Sequence, residues 1–392
     1  MRYLQFLILI LLFGVFLDPA SAQIIPPDDS QDDQGTQEEY LPVGVDYSLL
    51  PLIGYSTDWG LYGGALLQRI NYGEGVRPFL SNMQADFTIS TRGNLITEFT
   101  YERTKTLGTP WRTYLEFVGQ RFLQSHYFGI GNRTPFSEDL FDDDYYFFEM
   151  RELFLDVRGR REIARFGSIG FADIQFSYNL SYVDGIGRSE ETLFEQEMPF
   201  GFGRSWTSKP GVGLILDSRD SEFIPKRGVR YEFLYQLGSE IFGGDYDYSD
   251  LLFDFRHFVE LVPNLVLAHN LRVESILGEA PFWDLKMLGG ETGLRGYYLE
   301  RFRGDHSLLN MVELRTWLFS VWNENIRVGG QLFWDSGRVF SDMDSDALFD
   351  NWQHAVGGGG VVSLFNPDLI LRADLGYSDE TIGIYFGAGY VF

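Results

Sequence analysis

The sequence predicts an all-β fold: a sixteen-stranded antiparallel β-barrel that crosses a membrane, with one long extracellular loop folded into its lumen. Three observations predict it. The composition is that of strands and turns, with 44 Gly, 35 Phe and 22 Tyr among 392 residues, and such Gly and aromatic usage favours turn-rich sheet over helix. From residue 43 onward apolar residues recur with period two in sixteen runs, and an even number suits a single-chain bacterial barrel. The links between the runs alternate in length, as short periplasmic turns and long extracellular loops do.

The chain opens on a targeting signal. Met1-Arg2 supplies a positive charge, residues 4–17 form an apolar run, and Ala20-Ser21-Ala22 is a small-residue cleavage site. The run is about 14 residues, short of the roughly 20 that a spanning helix needs. Residues 1–22 therefore read as a signal peptide, cleaved before Gln23. Residues 23–39 carry Asp28, Asp29, Asp32, Asp33, Glu38, Glu39 and the pair Pro26-Pro27. They lack the pattern of a calcium loop and read as an acidic, self-repelling, disordered linker. Residues 40–392 read as one barrel domain. No later apolar run approaches spanning length, so a membrane crossing must use a closed barrel, because lipid tolerates no unpaired backbone.

The formal charge of −25 argues against nucleic acid, whose phosphates need clustered Lys and Arg. The absence of Cys excludes disulfides and thiolate metal sites.

The sixteen expected strands are 43–56, 61–72, 82–91, 95–104, 112–123, 145–158, 168–183, 212–218, 229–237, 250–261, 265–276, 307–319, 326–335, 354–365, 369–377 and 381–392. With the first strand running outward, the inner links are short or moderate. Most outer links are long, among them 124–144, 184–211, 277–306 and 336–353. The faces agree with a barrel in lipid. In 307–319, Leu308, Val312, Leu314 and Leu318 share one side while Glu313 and Arg315 share the other. In 326–335, Val328, Leu332 and Trp334 oppose Arg327, Gln331 and Asp335. In the last strand Ile382, Ile384, Phe386, Tyr390 and Phe392 are expected on one side, with Gly383, Tyr385, Gly387 and Gly389 on the other. An apolar outside around a polar inside inverts the soluble rule.

The segment 289–298, GGETGLRGYY, is the oddest stretch. It falls in the outer link between the eleventh and twelfth strands and places one arginine, Arg295, among glycines. Strand parity alone supplies two inward acids for it, Glu313 and Asp335. A phosphate cradle is the weaker reading, since no Gly-Lys-Ser/Thr follows and no strand leads into a helix. The five His are scattered without metal-ligand spacing. No G-x-S-x-G elbow occurs. The expectation is therefore no enzyme, no metal and no cofactor.

GGETGLRGYY resembles the arginine-glycine-aromatic signature of the BamA/TamA superfamily of outer-membrane barrels, also called bacterial surface antigens. LDSRDSEFIPKRG at 216–228 resembles that family's inner-turn element, through Asp217, Arg219, Asp220, Pro225 and Gly228. FWDSG at 333–337 resembles its Phe-x-Asp-x-Gly strand motif, which ends on Gly337. The ending with Gly387, Tyr390 and Phe392 resembles the C-terminal signal by which such a barrel is handed to the assembly machinery. The resemblance covers roughly residues 43–392, with the four motifs in the family's order.

The resemblance implies that Arg295, with Gly296 and Tyr297, tucks inside the barrel and meets Glu313 and Asp335. It implies a Gram-negative outer-membrane protein, surrounded by lipid and inserted by that machinery. It also implies a part in inserting or translocating outer-membrane proteins or lipids through a seam between the first and last strands. The alternatives are a loop-plugged pore or surface antigen without assembly activity and, least favoured, a surface hydrolase. The founding members carry periplasmic polypeptide-binding domains. Here only about twenty residues separate the expected cleavage site from the first strand, too few for such a domain. The expectation is a member without those domains, served by a separate periplasmic partner or client protein, or turned to another task.

Overall fold

The computed structural model describes residues 43–74, 76, 79–167, 170–322, 326–341, 350–364 and 370–392. The expected signal peptide and acidic linker lie outside the described residues. Sixteen strands form one antiparallel sheet in sequence order. They are β1 (Gly44–Ser56), β2 (Gly60–Tyr72), β3 (Ser81–Ser90), β4 (Leu95–Arg103), β5 (Trp111–His126), β6 (Phe147–Phe166), β7 (Gly170–Gly187), β8 (Gly203–Asp217), β9 (Gly228–Gly238), β10 (Tyr248–Val262) and β11 (Leu265–Gly278). The set continues with β14 (His306–Val321), β15 (Ile326–Phe340), β16 (Gln353–Leu364), β17 (Ile370–Tyr377) and β18 (Ile382–Ala388). Two three-residue strands, β12 (Lys286–Leu288) and β13 (Phe302–Gly304), pair inside the link between β11 and β14.

The sheet curls until β1 meets β18. Polar residues such as Asp156, Asn179, Asp254, Asn270, Glu313, Gln331 and Asp374 are buried, while Leu67, Phe87, Phe176, Leu214, Leu332 and Leu375 are exposed. This is a membrane barrel's inversion: apolar side chains face outward and polar ones inward. No helix among the described residues is long and apolar enough to cross a membrane. From β5 onward most outer links are the longer ones, up to the 279–305 link after β11, whereas the outer turns 57–59 and 91–94 are shorter than the inner links 73–80 and 104–110.

Three differences from the sequence reading have a physical reason. β8 starts at Gly203 rather than at residue 212. Pro210 and Gly211 look like a break, yet Pro210 lies where β8 has only β7 as ladder partner, since pairing with β9 begins at Gly211. A proline is tolerated at such an edge. β6 continues, paired with β7, through the charged run at 158–165, whose last residues are exposed. Charge there marks strands that leave the apolar band for water, not a turn.

The third difference is at the C-terminus. β18 ends at Ala388, and Gly389 takes φ +76°. Tyr390 and Phe392 then leave the outward row in which strand periodicity puts them. The Arg315 guanidinium lies 4.0 Å from the Tyr390 ring centroid and 4.7 Å from that of Phe392. Its Nη2 donates to the Phe392 carbonyl at 2.9 Å. Phe392 is buried in an apolar cluster with Phe258, Leu294, Tyr297 and Met311. Two cation–π contacts and apolar burial outweigh continuation of the strand.

Candidate functional site: the Arg295 cluster

Alternation along β14 and β15 puts Glu313 and Asp335 on the buried face of the sheet, with neither side chain exposed. The 279–305 link packs on that same face. Leu288, Leu294, Tyr297 and Phe302 from the link join Leu309, Met311, Val339 and Ala355 from the strands in one apolar cluster. That packing delivers Arg295 to the acids.

Arg295 is fully buried. Its Nε donates to Asp335 Oδ2 at 2.7 Å and its Nη2 to Asp335 Oδ1 at 2.8 Å, a fork onto one carboxylate. The backbone N–H of Arg295 donates to the same Oδ2 at 3.3 Å. Nη1 lies 2.6 Å from Glu313 Oε1 and 3.4 Å from Asp374 Oδ2. The Phe333 ring centroid lies 3.5 Å from the guanidinium carbon. Burial opposes the charge, but the Asp335 bond, then Glu313 and Asp374, more than offset it, so Arg295 is held above the ordinary guanidinium pKa.

Backbone contact also holds the segment. Gly296 has φ +111°, and a Cβ there would stand 2.9 Å from the Tyr377 backbone. A Cβ on Gly376 would stand 2.6 Å from the Arg295 carbonyl. Only two facing glycines allow this approach. The Gly296 N–H donates to the Tyr385 hydroxyl at 3.2 Å, and the Ser378 hydroxyl donates to the Gly296 carbonyl at 2.8 Å. The Tyr297 hydroxyl donates to Asp379 at 2.6 Å.

Sequence reasoning missed part of the cluster. Arg372 donates to Asp374 at 2.6 Å and to Glu291 at 2.5 Å, and Gln331 donates to Asp374 at 2.6 Å. Arg315 donates to Glu313 at 2.8 Å. Arg301 forks onto Glu380 at 2.6 and 2.7 Å and reaches Thr134 in the 127–146 link. Strand parity within 369–377 carried the signal for Arg372 and Asp374, which share a face. The glycines of β16 make room: a Cβ on Gly357 would meet the Phe333 ring, and one on Gly359 would meet Asp374.

Of the other motif residues, Gly337 and Gly387 flank the cluster and those of the 217–228 turn lie apart from it. Gly337 pairs with Leu309 in the ladder. Gly387 pairs with Arg372. Asp217, Arg219 and Asp220 tie down the turn between β8 and β9. Arg219 forks onto Asp217 at 3.0 and 2.7 Å, and Asp220 Oδ1 accepts the N–H groups of Lys226 and Arg227 at 2.9 and 3.2 Å. Pro225 is buried in that turn. Gly228 leaves it at φ +106°, with Ser218 O 2.2 Å from where a Cβ would be. No cluster of three or more potential metal ligands occurs among the described residues.

Residues 82–392 match the family model described as the Omp85 superfamily domain. The chain is similar to the outer membrane protein assembly factor BamA of Nitratidesulfovibrio vulgaris (strain Hildenborough), at 23% identity over 255 residues. That match covers 64% of this chain and 28% of the relative, so the chain spans about a quarter of the length of that protein. Among solved structures it resembles BamA from Haemophilus ducreyi lacking POTRA domains 1–3, with TM-score 0.58 and 11% identity, covering 89% of this chain and 70% of that one. It also resembles CdiB from Escherichia coli, with TM-score 0.59 and 10% identity, covering 88% and 62%. At such identities the structural likeness concerns the fold alone.

Proposed function

Since this chain belongs to the Omp85 superfamily, we propose that its outer-membrane barrel helps insert or translocate outer-membrane proteins or lipids through the seam between β1 and β18. The observation that carries this reading is how thinly the seam is bonded. Every other neighbouring pair of the sheet is joined by a ladder, and β1 and β18 have none among the described residues. The Thr57 N–H donates to the Ile384 carbonyl at 3.2 Å, the Ile384 N–H donates to Thr57 Oγ1 at 2.9 Å, and the Tyr62 hydroxyl donates to the Phe386 carbonyl at 2.8 Å. These bonds sit at one end of β1. Toward its start, Val45, Tyr47 and Leu49 are exposed, and the inward turn after Ala388 takes the last residues away from them. An unpaired strand edge is a template for another strand.

The test uses a chain that lacks Cys. Paired cysteines at one position within 54–57 and one within 384–387, where the seam bonds bring the two strands level, oxidised in membranes, should abolish assembly of client barrels, and reduction should restore it. If forced closure leaves every membrane phenotype unchanged while the barrel stays folded, lateral opening is not its mechanism.

A second reading, a loop-plugged barrel without assembly activity, is favoured by the packing of the 279–305 link on the buried face. The purified protein should then show only small, intermittent conductance in a planar bilayer. A large steady pore would count against a plug. Neither reading needs a catalytic step, metal or cofactor. A separate periplasmic partner or client protein fits the first.

A further inference from the structure

A cavity of about 300 Å³ lies between the 279–305 link and the strands β5 to β7, and none of the residues that line it belongs to the Arg295 cluster. Its walls include three polar side chains that are nearly inaccessible: Asn94 and His126 at 3% exposure and Arg303 at 2%. Each has a buried polar atom without a partner among the described residues, namely Asn94 Oδ1, His126 Nε2 and Arg303 Nη1. His126 Nδ1 lies 3.1 Å from the Leu299 carbonyl, so Nδ1 carries the proton and, in the neutral ring, Nε2 is an acceptor. Residues that wall the cavity thus carry two unmet acceptors and one unmet guanidinium donor. Each is costly to leave buried and unsatisfied.

The rest of the wall has a second character. The rings of Trp59, Phe122, Phe282 and Trp283 line the same space. Waters would fit in it, but water meets only the polar atoms and leaves the ring faces wet. A ligand that meets both needs several hydroxyls around a ring with C–H faces. Asp58, Glu152 and Glu300 also line the cavity and add acceptors, which suits a donor-rich guest. The volume is at the low end for ligand pockets, so the guest is small.

We propose that this cavity binds a saccharide unit. Its hydroxyls donate to Asn94 Oδ1 and His126 Nε2, one of its oxygens accepts from Arg303 Nη1, and a C–H face rests on an indole ring. The walls come from the turn 57–59, the turn 91–94, the end of β5 and the 279–305 link, the rim that the strand count places outside the cell. The unit is thus an exterior one, free or carried on a lipid. This proposal is independent of the assembly reading.

The test titrates the purified barrel, in micelles of a detergent without a sugar headgroup, with glucose, N-acetylglucosamine and galacturonate, using glycerol as control. Tryptophan fluorescence and calorimetry follow binding. At least one sugar should saturate the signal while glycerol does not. Asn94→Leu should weaken binding about tenfold or more, and Trp59→Leu should weaken it and reduce the fluorescence change. Both variants should keep the heat-modifiable mobility of a folded barrel. Should one misfold, the other carries the test. Vesicles bearing a glycolipid, compared with its freed headgroup, distinguish the sources. Binding of both forms indicates a soluble saccharide, and binding of the lipid-borne form alone indicates the outer leaflet. Absence of saturation with every sugar in every form, saturation by glycerol alike, or binding indifferent to both variants overturns the proposal.

Discussion

Arg295 carries a positive charge into a place without solvent, and three carboxylates make that tolerable. Breaking such a buried pair by removing one partner costs about 3–5 kcal/mol, because the remaining charges stay buried. Arg295→Ala should therefore lower the temperature at which the barrel loses its folded gel mobility and expose the 279–305 link to protease. Arg295→Lys should recover only part of the loss, since an ammonium cannot fork onto Asp335. A link equally protected in both variants would sink the proposal that this residue locks it.

Asp58, in the turn between β1 and β2, gives a pH-dependent counterpart. Burial pushes its carboxyl up to about 6, against the Leu299 N–H and the Arg92 charge, which lower it. A folded pKa raised above the unfolded value contributes stability that is present below about pH 4 and lost as pH rises through 6. The difference is on the order of 3 kcal/mol. Asp58→Asn keeps the acceptor for Leu299 and removes the titration. Relative to the parent, its stability toward urea should be unchanged near pH 4 and higher at pH 7. A constant difference across that range would contradict this assignment.

At the scale of elements, the last strand shows what a period-two reading leaves out. The pattern up to Ala388 predicts the faces of Ile382, Ile384 and Tyr385 correctly, because a ladder imposes alternation wherever it continues. It fails at Tyr390 and Phe392, because Gly389 breaks the ladder and Arg315, far away in sequence, draws both rings inward. No periodicity encodes a partner 77 residues away. A Cβ at position 389 would meet no atom within 4 Å, so its only conflict is the left-handed φ. Gly389→Val should thus disfavour the inward turn and make residues 390–392 more accessible to carboxypeptidase. Arg315→Gln should do the same by removing the charge under the rings. If neither variant changes the digestion rate, the inward turn does not depend on them.

For the whole molecule, a seam without a ladder and a link packed on the buried face pull in different directions. The first leaves an edge open to another strand, and the second fills the space behind the wall with apolar and ionic contacts. The ionic contacts join several elements: Arg301 connects the 279–305 link to Glu380 and Thr134, and Arg372 connects it through Glu291 to β17. If opening the seam disturbs that network, Glu380→Gln should loosen the link and raise single-channel conductance in a planar bilayer, with the barrel still folded. Unchanged conductance and protection would separate the network from the seam.

The sequence by itself determined the number of strands, their antiparallel order, which wall faces lipid, and the inward side of Glu313 and Asp335, while their pairing with Arg295 was implied by the family resemblance. The strand features follow from local alternation, which a continuing ladder imposes. Tertiary structure alone decided the third acid, Asp374, the facing glycines Gly296 and Gly376, the extent of β8, the turn of Phe392 inward and the aromatic cavity beside Asn94. Each depends on residues that meet only after the sheet has closed, and no local pattern in the chain records which distant side chain will stand opposite.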